Sequence, residues 1–391
     1  MQFEEVKSLG EKYLFQNYGR LDVAFEYGKG MYLYDAQGKE YMDLVAGIAV
    51  CSLGYSHPKW VNAMQEQVGK LIHVSNLYHV KEQAVAAEAV ASITPGNLNK
   101  TLFVNSGAEA NEAALKLAVR ATGRKKILSA LNSFHGRTAG SLAATGQTKY
   151  QDTFQPLMNL DSFRYYDYGD AESVKKLIDK DTAALIVEPI QGEGGVRTVD
   201  PEFFKAVRDL CTDNGALMIV DEVQTGIGRT GKWFGIENFG VVPDIISMAK
   251  ALGAGVPIGA ISTYDDLAKV MTPGSHGTTF GGNPLVTASV KATIDIMKEE
   301  KLVENSRDTG AYLKQQIQSI DSDEIVEVRG YGLMVGTEMK TKANDFRKYC
   351  LDNGVLVNVC HGNTVRIIPP LIMGKEHCDR VVSLMRAFLN A

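Results

Sequence analysis

The sequence LMIVDEVQTG at residues 217–226 joins four apolar residues directly to an acid, Asp221. A second stretch of this kind, IISMAKALGAG at residues 245–255, leads from an apolar run into Lys250. Short, continuously apolar runs are typical of strands that are buried on both faces of a parallel sheet. Such sheets bind ligands at the carboxyl ends of their strands. The sequence therefore predicts an α/β domain with Asp221 and Lys250 at its binding edge.

Similar apolar runs surround these two stretches. They alternate with helix-length segments and lie at residues 101–104, 126–129, 183–187 and 257–262. Strands that alternate with helices are joined by crossover connections and form largely parallel sheets. We therefore expect a large α/β domain over residues 50–285, built on a mostly parallel sheet.

The pattern changes towards the two chain ends. Helices are predicted at 286–300, around Tyr312 and at 381–389, and hairpins are predicted to pair 324–328 with 333–338 and 355–359 with 365–368. Near the N-terminus, runs at 31–34 and 40–43 flank a turn at Gln37-Gly38. Tight turns between short apolar runs indicate antiparallel strands. We expect residues 1–49 and 286–391 to form one small α+β domain together.

Composition limits the classes of function. The chain has 391 residues, which at roughly 150 per domain suggests two or three domains. Lysine and arginine number 41 against 46 acidic residues, so the net charge of −5 provides no basic field for nucleic acid. Hydrophobic residues make up 45% and charged residues 22%, as in ordinary globular proteins. Nucleic acid is therefore not expected as a partner.

The absence of targeting and cysteine motifs bears on where the protein is located and on whether its cysteines form disulfides. The N-terminal residues lack a signal-peptide pattern, and no apolar run reaches the ~18 residues of a membrane span. The five cysteines are scattered and never spaced as C-x-x-C, which predicts neither a disulfide framework nor a zinc site. We expect a cytoplasmic protein with no membrane contact and no metal.

A glycine-rich stretch suggests a nucleotide site, but its context does not support one. The sequence GIGRTG at 226–231 fits G-x-G-x-x-G, and with Lys232 it fits most of a Walker A loop. The dinucleotide motif must open a helix directly after a strand, and the Walker motif needs Ser or Thr where Trp233 stands. A nucleotide-dependent enzyme stays only an alternative hypothesis.

An anion-binding turn completes a recognisable set of groups. The sequence NSGAEANE at 105–112 follows an apolar run and opens an amphipathic helix, so its backbone N–H groups and the Ser106 hydroxyl can bind phosphate. The same turn also fits an N-cap with a capping box from Ser106 to Glu109. A phosphate cradle, an acid (Asp221) and an apolar-flanked amine (Lys250) are the groups that pyridoxal phosphate requires. Phe134 could stack on its ring.

Ordered sequence blocks extend this resemblance along nearly the whole chain. The blocks are YGR at 18–20, the segment 43–58 that begins with Asp-Leu and ends with His-Pro, NLY at 76–78, SGAEANE at 106–112, FHGRT at 134–138, EPIQGEGG at 188–195, DEVQTG at 221–226, Lys250, and TFGGNP at 279–284. The sequence resembles the class III, subgroup II, pyridoxal-phosphate-dependent aminotransferases, and among them the acetylornithine type. The resemblance implies a fold-type-I transferase, with a large domain on a seven-stranded sheet and a small domain.

The resemblance also implies a role for each matching residue. Lys250 would hold the cofactor covalently and then move the substrate's proton, and Asp221 would keep the pyridine nitrogen protonated. Phe134 would stack on the ring. Further cofactor contacts would come from Ser106, Gly107, Glu222, Val223, Gln224 and, from the neighbouring subunit of a homodimer, Thr279.

The two substrates would share one pocket. By family resemblance, Arg366 would clamp the carboxylate beside the reacting carbon of 2-oxoglutarate, and Glu193 would neutralise Arg366 when a terminal-amine donor is bound. Arg137 would bind the far carboxylate of either substrate. Tyr18 and Thr278 match positions near the distal end of the donor.

The donor is the least constrained part of the hypothesis. Ornithine aminotransferases usually carry an aromatic residue where GIAV at 47–50 has Ile48, so the expected reaction is N2-acetylornithine with 2-oxoglutarate, in arginine biosynthesis. Ornithine, succinylornithine, 4-aminobutyrate and N-succinyldiaminopimelate stay open, because small differences in donor shape change binding by about 1–3 kcal/mol. A non-catalytic, cofactor-binding relative is the alternative of a different class.

Overall fold

A seven-stranded sheet forms the centre of the protein in a computed structural model, which describes residues 1–390. The strands are β1 (Phe25–Lys29), β2 (Tyr32–Asp35), β3 (Glu40–Asp43), β4 (Lys100–Val104), β5 (Lys126–Ala130), β6 (Phe163–Tyr166), β7 (Thr182–Val187), β8 (Leu217–Asp221), β9 (Ile245–Met248), β10 (Gly259–Thr263), β11 (Ile325–Tyr331), β12 (Met334–Met339), β13 (Val355–Leu356), β14 (Asn358–Cys360) and β15 (Thr364–Ile367).

Helices cover the sheets. The α-helices are α1 (Phe3–Tyr13), α2 (Ala46–Ala49), α3 (Pro58–Val68), α4 (Lys81–Ala91), α5 (Gly107–Thr122), α6 (Ala139–Ala144), α7 (Thr148–Gln151), α8 (Ala171–Leu177), α9 (Pro201–Asn214), α10 (Asp265–Ala268), α11 (Pro284–Glu299), α12 (Leu302–Gln318), α13 (Ala343–Asp352) and α14 (Lys375–Leu389). Short 3₁₀ helices lie at Asp152–Leu157, Leu160–Ser162, Gly235–Phe239 and Lys250–Gly253.

The central sheet has the strand order β4-β10-β9-β8-β7-β5-β6. Five neighbouring strands, from β9 to β6, are parallel, and β10 runs antiparallel to both β9 and β4. Every residue of β7 is buried, which agrees with a sheet covered on both faces. The predicted α/β class and the mostly parallel seven-stranded sheet are confirmed.

One strand of this sheet was missed, and another begins later than predicted. The edge strand β6 has the sequence FRYY, and its short, partly exposed pattern gives no continuous apolar run. The predicted run at 257–262 forms β10 only from Gly259, because Pro257 has no backbone N–H for the ladder.

Two smaller four-stranded sheets lie beside the central one. Their strand orders are β1-β2-β3-β13 and β11-β12-β15-β14. In the first, Val355 of β13 pairs in parallel with Met42 of β3, so the two chain ends meet in one sheet. The domain boundaries near residues 50 and 285 stay a prediction.

The predicted hairpin after residue 354 is partly wrong. The run 355–359 was expected to be a single strand, but it divides at Val357. The β13 segment before this residue joins β3, and the β14 segment after it forms the hairpin with β15. One run therefore connects two sheets, which periodicity alone does not reveal. The hairpin of β11 and β12 agrees with the prediction.

Helix α5 places the predicted anion-binding turn at the sheet edge. Ser106 caps the helix, because its side chain accepts a hydrogen bond of 3.1 Å from the Glu109 N–H. The helix buries a row of small residues, including Ala110, Ala113 and Ala114, which lets it pack closely on the sheet. Because β4 ends at Val104 and α5 begins at Gly107, the N-terminus of the helix lies at the carboxyl end of β4. No helix within residues 1–390 is long and apolar enough to cross a membrane.

Candidate active site

A cavity of about 480 Å³ lies at the carboxyl ends of the parallel strands. Turns after β4, β5, β7, β8 and β9 line it. Of the predicted site residues, those that line the cavity are Ser106, Gly107, Phe134, Arg137, Glu193, Asp221, Val223, Gln224 and Lys250. The fold therefore brings together most of the residues that the sequence singled out.

The turn after β4 has the form of an anion cradle. A Cβ atom on Gly107 would lie 2.8 Å from Val223 Cγ1, so only glycine fits here without a shift. The capping box is half complete: Ser106 accepts the Glu109 N–H, whereas the Glu109 carboxylate accepts the N–H of Asn105. The first helical N–H groups thus lie open at the positive end of the helix dipole, where an anion is stabilised.

Asp221 is held rigidly at the end of β8. Its Oδ2 accepts a hydrogen bond of 2.7 Å from Asn111 Nδ2 and lies 2.7 Å from His135 Nδ1. Its Oδ1 accepts the Val223 N–H at 2.9 Å. The Asn111 amide is oriented in turn by Ser247, whose hydroxyl donates to Asn111 Oδ1 at 2.6 Å. This buried network fixes the plane of a carboxylate that a cationic ring nitrogen could approach.

Lys250 lies two residues past the end of β9. Its φ of +46° falls in the left-handed region, which is strained for a residue other than glycine and is common at active sites. Burial lowers the pKa of the Lys250 amine, although the nearby Glu193 carboxylate opposes part of this shift. A lowered pKa increases the fraction of free amine, the form that attacks an aldehyde or accepts a proton.

The Phe134 ring and the Arg137 guanidinium form another wall of the cavity, and the Tyr150 ring packs on Arg137. The Phe134 N–H donates to Glu188 Oε2 at 3.0 Å, which fixes the backbone beneath the ring. The Arg137 guanidinium stacks on the Tyr150 ring at 4.0 Å from its centroid and lies 5.4 Å from that of Phe134. No hydrogen bond or ion pair engages Arg137 within residues 1–390. Its guanidinium is therefore available to a substrate carboxylate.

An ion pair connects Glu193, which lines the cavity, to Arg366, which lies behind it. Arg366 on β15 donates from Nη1 to Glu193 Oε1 at 2.7 Å and to Gln224 Oε1 at 3.1 Å. Its Nη2 donates to Asn358 Oδ1 at 2.8 Å. The Arg366 side chain is 1% exposed and that of Glu193 is 27% exposed. Burial alone would raise the pKa of Glu193, but the charge and hydrogen bond of Arg366, together with the Lys250 charge and a hydrogen bond with Gln224, lower that pKa.

Besides Arg366, four predicted residues lie outside the cavity of a single protomer. Glu222 accepts hydrogen bonds from the Gly235 and Ile236 N–H groups, so its carboxylate braces a loop. Thr278 accepts a hydrogen bond from Asn105 at 2.7 Å, and Thr279 is exposed beside it. Tyr18 is 69% exposed and borders a separate cavity near α1. Contacts from these four residues to a cofactor or substrate stay predictions.

Sequence reasoning gave no role to Asn111, Glu188 and Tyr150. Asn111 is fully buried in the otherwise alanine-rich face of α5, and a polar residue in such a row is a signal that could have been used. Burial raises the pKa of Glu188 to about 7. Tyr150 lies on the short helix α7, 13 residues after Arg137, and nothing in the local sequence connects the two side chains.

Comparison with known proteins identifies the family. The class-III aminotransferase sequence profile matches residues 13–389. The chain belongs to this family. Acetylornithine aminotransferases from Methanosarcina mazei and Bacillus subtilis are 48% and 44% identical to it over 98% and 95% of this chain, in each case covering 96% of the relative.

Solved aminotransferase structures share the fold. Ornithine aminotransferase from Toxoplasma gondii ME49 superimposes with a TM-score of 0.95 at 31% identity, over 100% of this chain and 95% of that one. Acetylornithine aminotransferase from Elizabethkingia anophelis gives 0.88 at 31% identity, over 100% and 99%.

Class-III aminotransferases depend on pyridoxal phosphate, and the residues of this cavity fit that group. The open helix terminus at Gly107 suits a phosphate, and the side of Phe134 suits a flat ring. The anchored Asp221 carboxylate suits a protonated pyridine nitrogen, and Lys250 suits an aldehyde. The cavity therefore has a complementary group for each chemical part of the cofactor.

Proposed function

We propose that this aminotransferase transfers the terminal amine of N2-acetylornithine to 2-oxoglutarate, giving N-acetylglutamate 5-semialdehyde and glutamate. We place this reaction in arginine biosynthesis, in the cytoplasm. The observation that carries the proposal is the ion pair of Arg366 with Glu193 beside Lys250. A site with a clamp for the carboxylate next to the reacting carbon, and an acid that can mask it, suits two such different substrates.

Bound in this cavity, pyridoxal phosphate supplies an electron-withdrawing ring that makes the proton on the amine-bearing carbon easier to remove. Asp221 keeps the ring nitrogen protonated, because its oriented carboxylate stabilises a cation there. Lys250 would hold the cofactor through its aldehyde, and its amine, when free, would accept the proton from the amine-bearing carbon of the substrate and move it towards the cofactor. Burial favours the neutral form of this amine, as proton transfer requires.

The two arginines divide the carboxylates between them. Arg137 is unpaired and binds the carboxylate far from the reacting carbon, which both substrates possess. Only 2-oxoglutarate has a second carboxylate beside that carbon, and it takes the place of Glu193 on Arg366. With acetylornithine bound, Glu193 stays on Arg366 and no buried charge is left unpaired.

The choice of donor rests on the relatives and on one turn. Relatives named acetylornithine aminotransferase are 42–48% identical to this chain over nearly its whole length. Residues 46–49 form a left-handed turn in which Ile48 has a φ of +65° and a 41% exposed side chain. We propose that this turn leaves room for the acetyl group.

We further propose that the enzyme is a homodimer that shares its active sites. Exposed apolar side chains cluster around Thr279 and are Leu71, Ile72, Leu77, Tyr78 and Phe280. Asn76 joins the two segments by donating to the Gly281 carbonyl at 3.0 Å. A patch of this kind marks a protein–protein interface, and it would bring Thr279 to the partner's phosphate cradle. Full activity in a species that sediments as a monomer would contradict this.

A substrate panel tests the proposed reaction. The kcat/KM values of the purified holoenzyme are measured with 2-oxoglutarate and each of acetylornithine, ornithine, succinylornithine, 4-aminobutyrate and N-succinyldiaminopimelate. Acetylornithine is expected to give the highest value. Lys250→Ala is the control, and it should abolish turnover with every donor. A higher kcat/KM for ornithine or 4-aminobutyrate would overturn the assignment.

A further inference from the structure

The glycine-rich stretch at 226–231 has a purpose other than binding a nucleotide. It forms a loop after β8, and no helix begins within it; the next helical turn starts at Gly235. The loop carries Arg229, whose side chain is 1% exposed and is among the largest fully buried side chains of residues 1–390. Burying a cation is costly unless it finds partners.

The partners of Arg229 are two backbone carbonyls. Its Nη1 donates to the Leu333 carbonyl at 3.0 Å and to the Pro369 carbonyl at 2.5 Å. These carbonyls lie at the ends of β12 and β15, the strand pair in which Gly336 faces Arg366 and Val335 faces Ile367. In the same register, Leu333 lies opposite Pro369.

Pro369 explains why a side chain is needed at this place. Proline has no backbone N–H, so the hydrogen-bonded ladder between β12 and β15 cannot continue past Ile367 to Leu333. The Leu333 carbonyl then has no donor from Pro369, and the Leu333 N–H donates to the Ser306 hydroxyl and not to the Pro369 carbonyl. Both carbonyls therefore need another donor, because a buried carbonyl without one costs free energy. Arg229 supplies the missing donor to both strands at once.

The loop is fixed to the same strand pair by a second link and by close packing. The Ser306 hydroxyl donates to the Arg229 carbonyl at 2.9 Å and accepts the Leu333 N–H at 3.1 Å. A Cβ atom on Gly332 would lie 2.4 Å from the Thr230 carbonyl carbon. The glycine at 332 thus lets two backbones touch and holds Arg229 in register with β12 and β15.

We propose that Arg229 is a positioning residue for Arg366: by completing the ladder that Pro369 interrupts, it sets where β15 presents the Arg366 guanidinium. Arg366 lies on β15 three residues before Pro369, which follows the end of this strand by two residues. A shift of β15 would move its guanidinium away from the carboxylate that it clamps, and misplacement of about 1 Å can cost on the order of 100-fold in rate.

This inference rests on the proposed function, because Arg366 then serves only one of the two half-reactions. Glutamate and 2-oxoglutarate use the Arg366 clamp, whereas acetylornithine leaves Arg366 paired with Glu193. Loss of Arg229 should therefore weaken the glutamate half-reaction selectively. A residue that only stabilised the fold would affect both half-reactions alike.

The test measures each half-reaction separately by stopped-flow absorbance of the holoenzyme, for Arg229→Met and for the milder Arg229→Lys. We expect the apparent dissociation constant of glutamate to rise at least tenfold and that of acetylornithine to change less than threefold. Arg124→Met is the matched control. Arg124 also bridges two carbonyls, those of Thr182 and Asn214, at 3.0 and 2.7 Å, but it does so at the start of β7 in the central sheet and not beside β12 and β15.

Ser306→Ala provides a second reading if Arg229→Met does not fold, since it removes the other link to Leu333. It should produce the same selective loss on a smaller scale. Equal losses in both half-reactions, or a glutamate half-reaction unchanged in Arg229→Lys and Ser306→Ala, would overturn the inference. A wild-type enzyme that reacts with glutamate but not with acetylornithine would instead refute the proposed function, and Arg229 could still be compared with Arg124 on the glutamate side.

Discussion

Replacing Glu193 by glutamine should reverse the preference of the enzyme between its two substrates. Glutamine keeps the size of the side chain but removes the charge that masks Arg366. A terminal-amine donor would then bind beside an unpaired, almost fully buried guanidinium. A substrate with a carboxylate beside the reacting carbon would no longer need to displace Glu193.

The magnitude follows from the geometry of the pair. Two unit charges separated by the observed 2.7 Å attract by about 6 kcal/mol at an effective dielectric constant of 20. Desolvation offsets part of this, and the 27% exposure of Glu193 screens the pair further. A net effect of about 2–3 kcal/mol corresponds to a roughly 30- to 150-fold lower kcat/KM for acetylornithine.

The assay compares kcat/KM for acetylornithine with that for 2-oxoglutarate in wild type and Glu193→Gln. The acetylornithine value should fall by this factor while the 2-oxoglutarate value holds or rises. Glu327→Gln is the control, because Glu327 also pairs with an arginine at 2.7 Å but is 56% exposed, so both values should stay within about threefold. Parallel losses for both substrates in Glu193→Gln would refute the masking role.

Three further outcomes follow from the site. Tyr150→Leu should raise KM about tenfold for both substrates with little change in kcat, because it removes the ring that orients Arg137. Tyr150→Phe keeps the ring and should restore the wild-type KM. A loss of kcat with an unchanged KM in Tyr150→Leu would contradict this role. Asn111→Ala should weaken cofactor binding about tenfold or more when the apoenzyme is titrated with pyridoxal phosphate, because the Asp221 carboxylate loses a hydrogen-bond donor. An unchanged affinity would show that the hydrogen bonds around Asp221 do not support cofactor binding. Burial raises the pKa of Glu188 from 4.5 to about 7, so its contribution to apoenzyme stability is present below pH 4.5 and lost as the pH rises towards 7. The melting temperature of Glu188→Gln should fall less steeply than that of wild type across this range, and equal slopes would exclude Glu188 as the cause.

The sequence predicted those parts of the fold that are governed by local patterns. The runs that became β7, β8 and β9 are almost wholly apolar because the sheet is covered on both faces there. The ends of these strands and of β4 and β5 matched the prediction within a residue. The edge strand β6 escaped notice because its sequence, FRYY, contains an arginine and is only partly buried, whereas the other edge strand, β4, keeps a short apolar run. The division of 355–359 between two sheets depends on distant strands, which periodicity within one segment does not report.

The candidate site divides along similar lines. Asp221 and Lys250 were visible because each follows a buried strand, and that position is set by the chain itself. Asn111 and Tyr150 act through partners that are distant in sequence, so their roles emerged only with the three-dimensional structure. Arg229 was noticed as part of a glycine motif, but the need that it meets arises from Pro369, 140 residues further on.

The most direct test of the central claim is a competition between donors. The holoenzyme is given 2-oxoglutarate with an equimolar mixture of acetylornithine, ornithine and 4-aminobutyrate, and the three product aldehydes are measured at early times. Their ratio equals the ratio of the kcat/KM values, free of differences in enzyme concentration. N-acetylglutamate 5-semialdehyde is expected to dominate the products. A majority of the product from ornithine or from 4-aminobutyrate would contradict the proposed function.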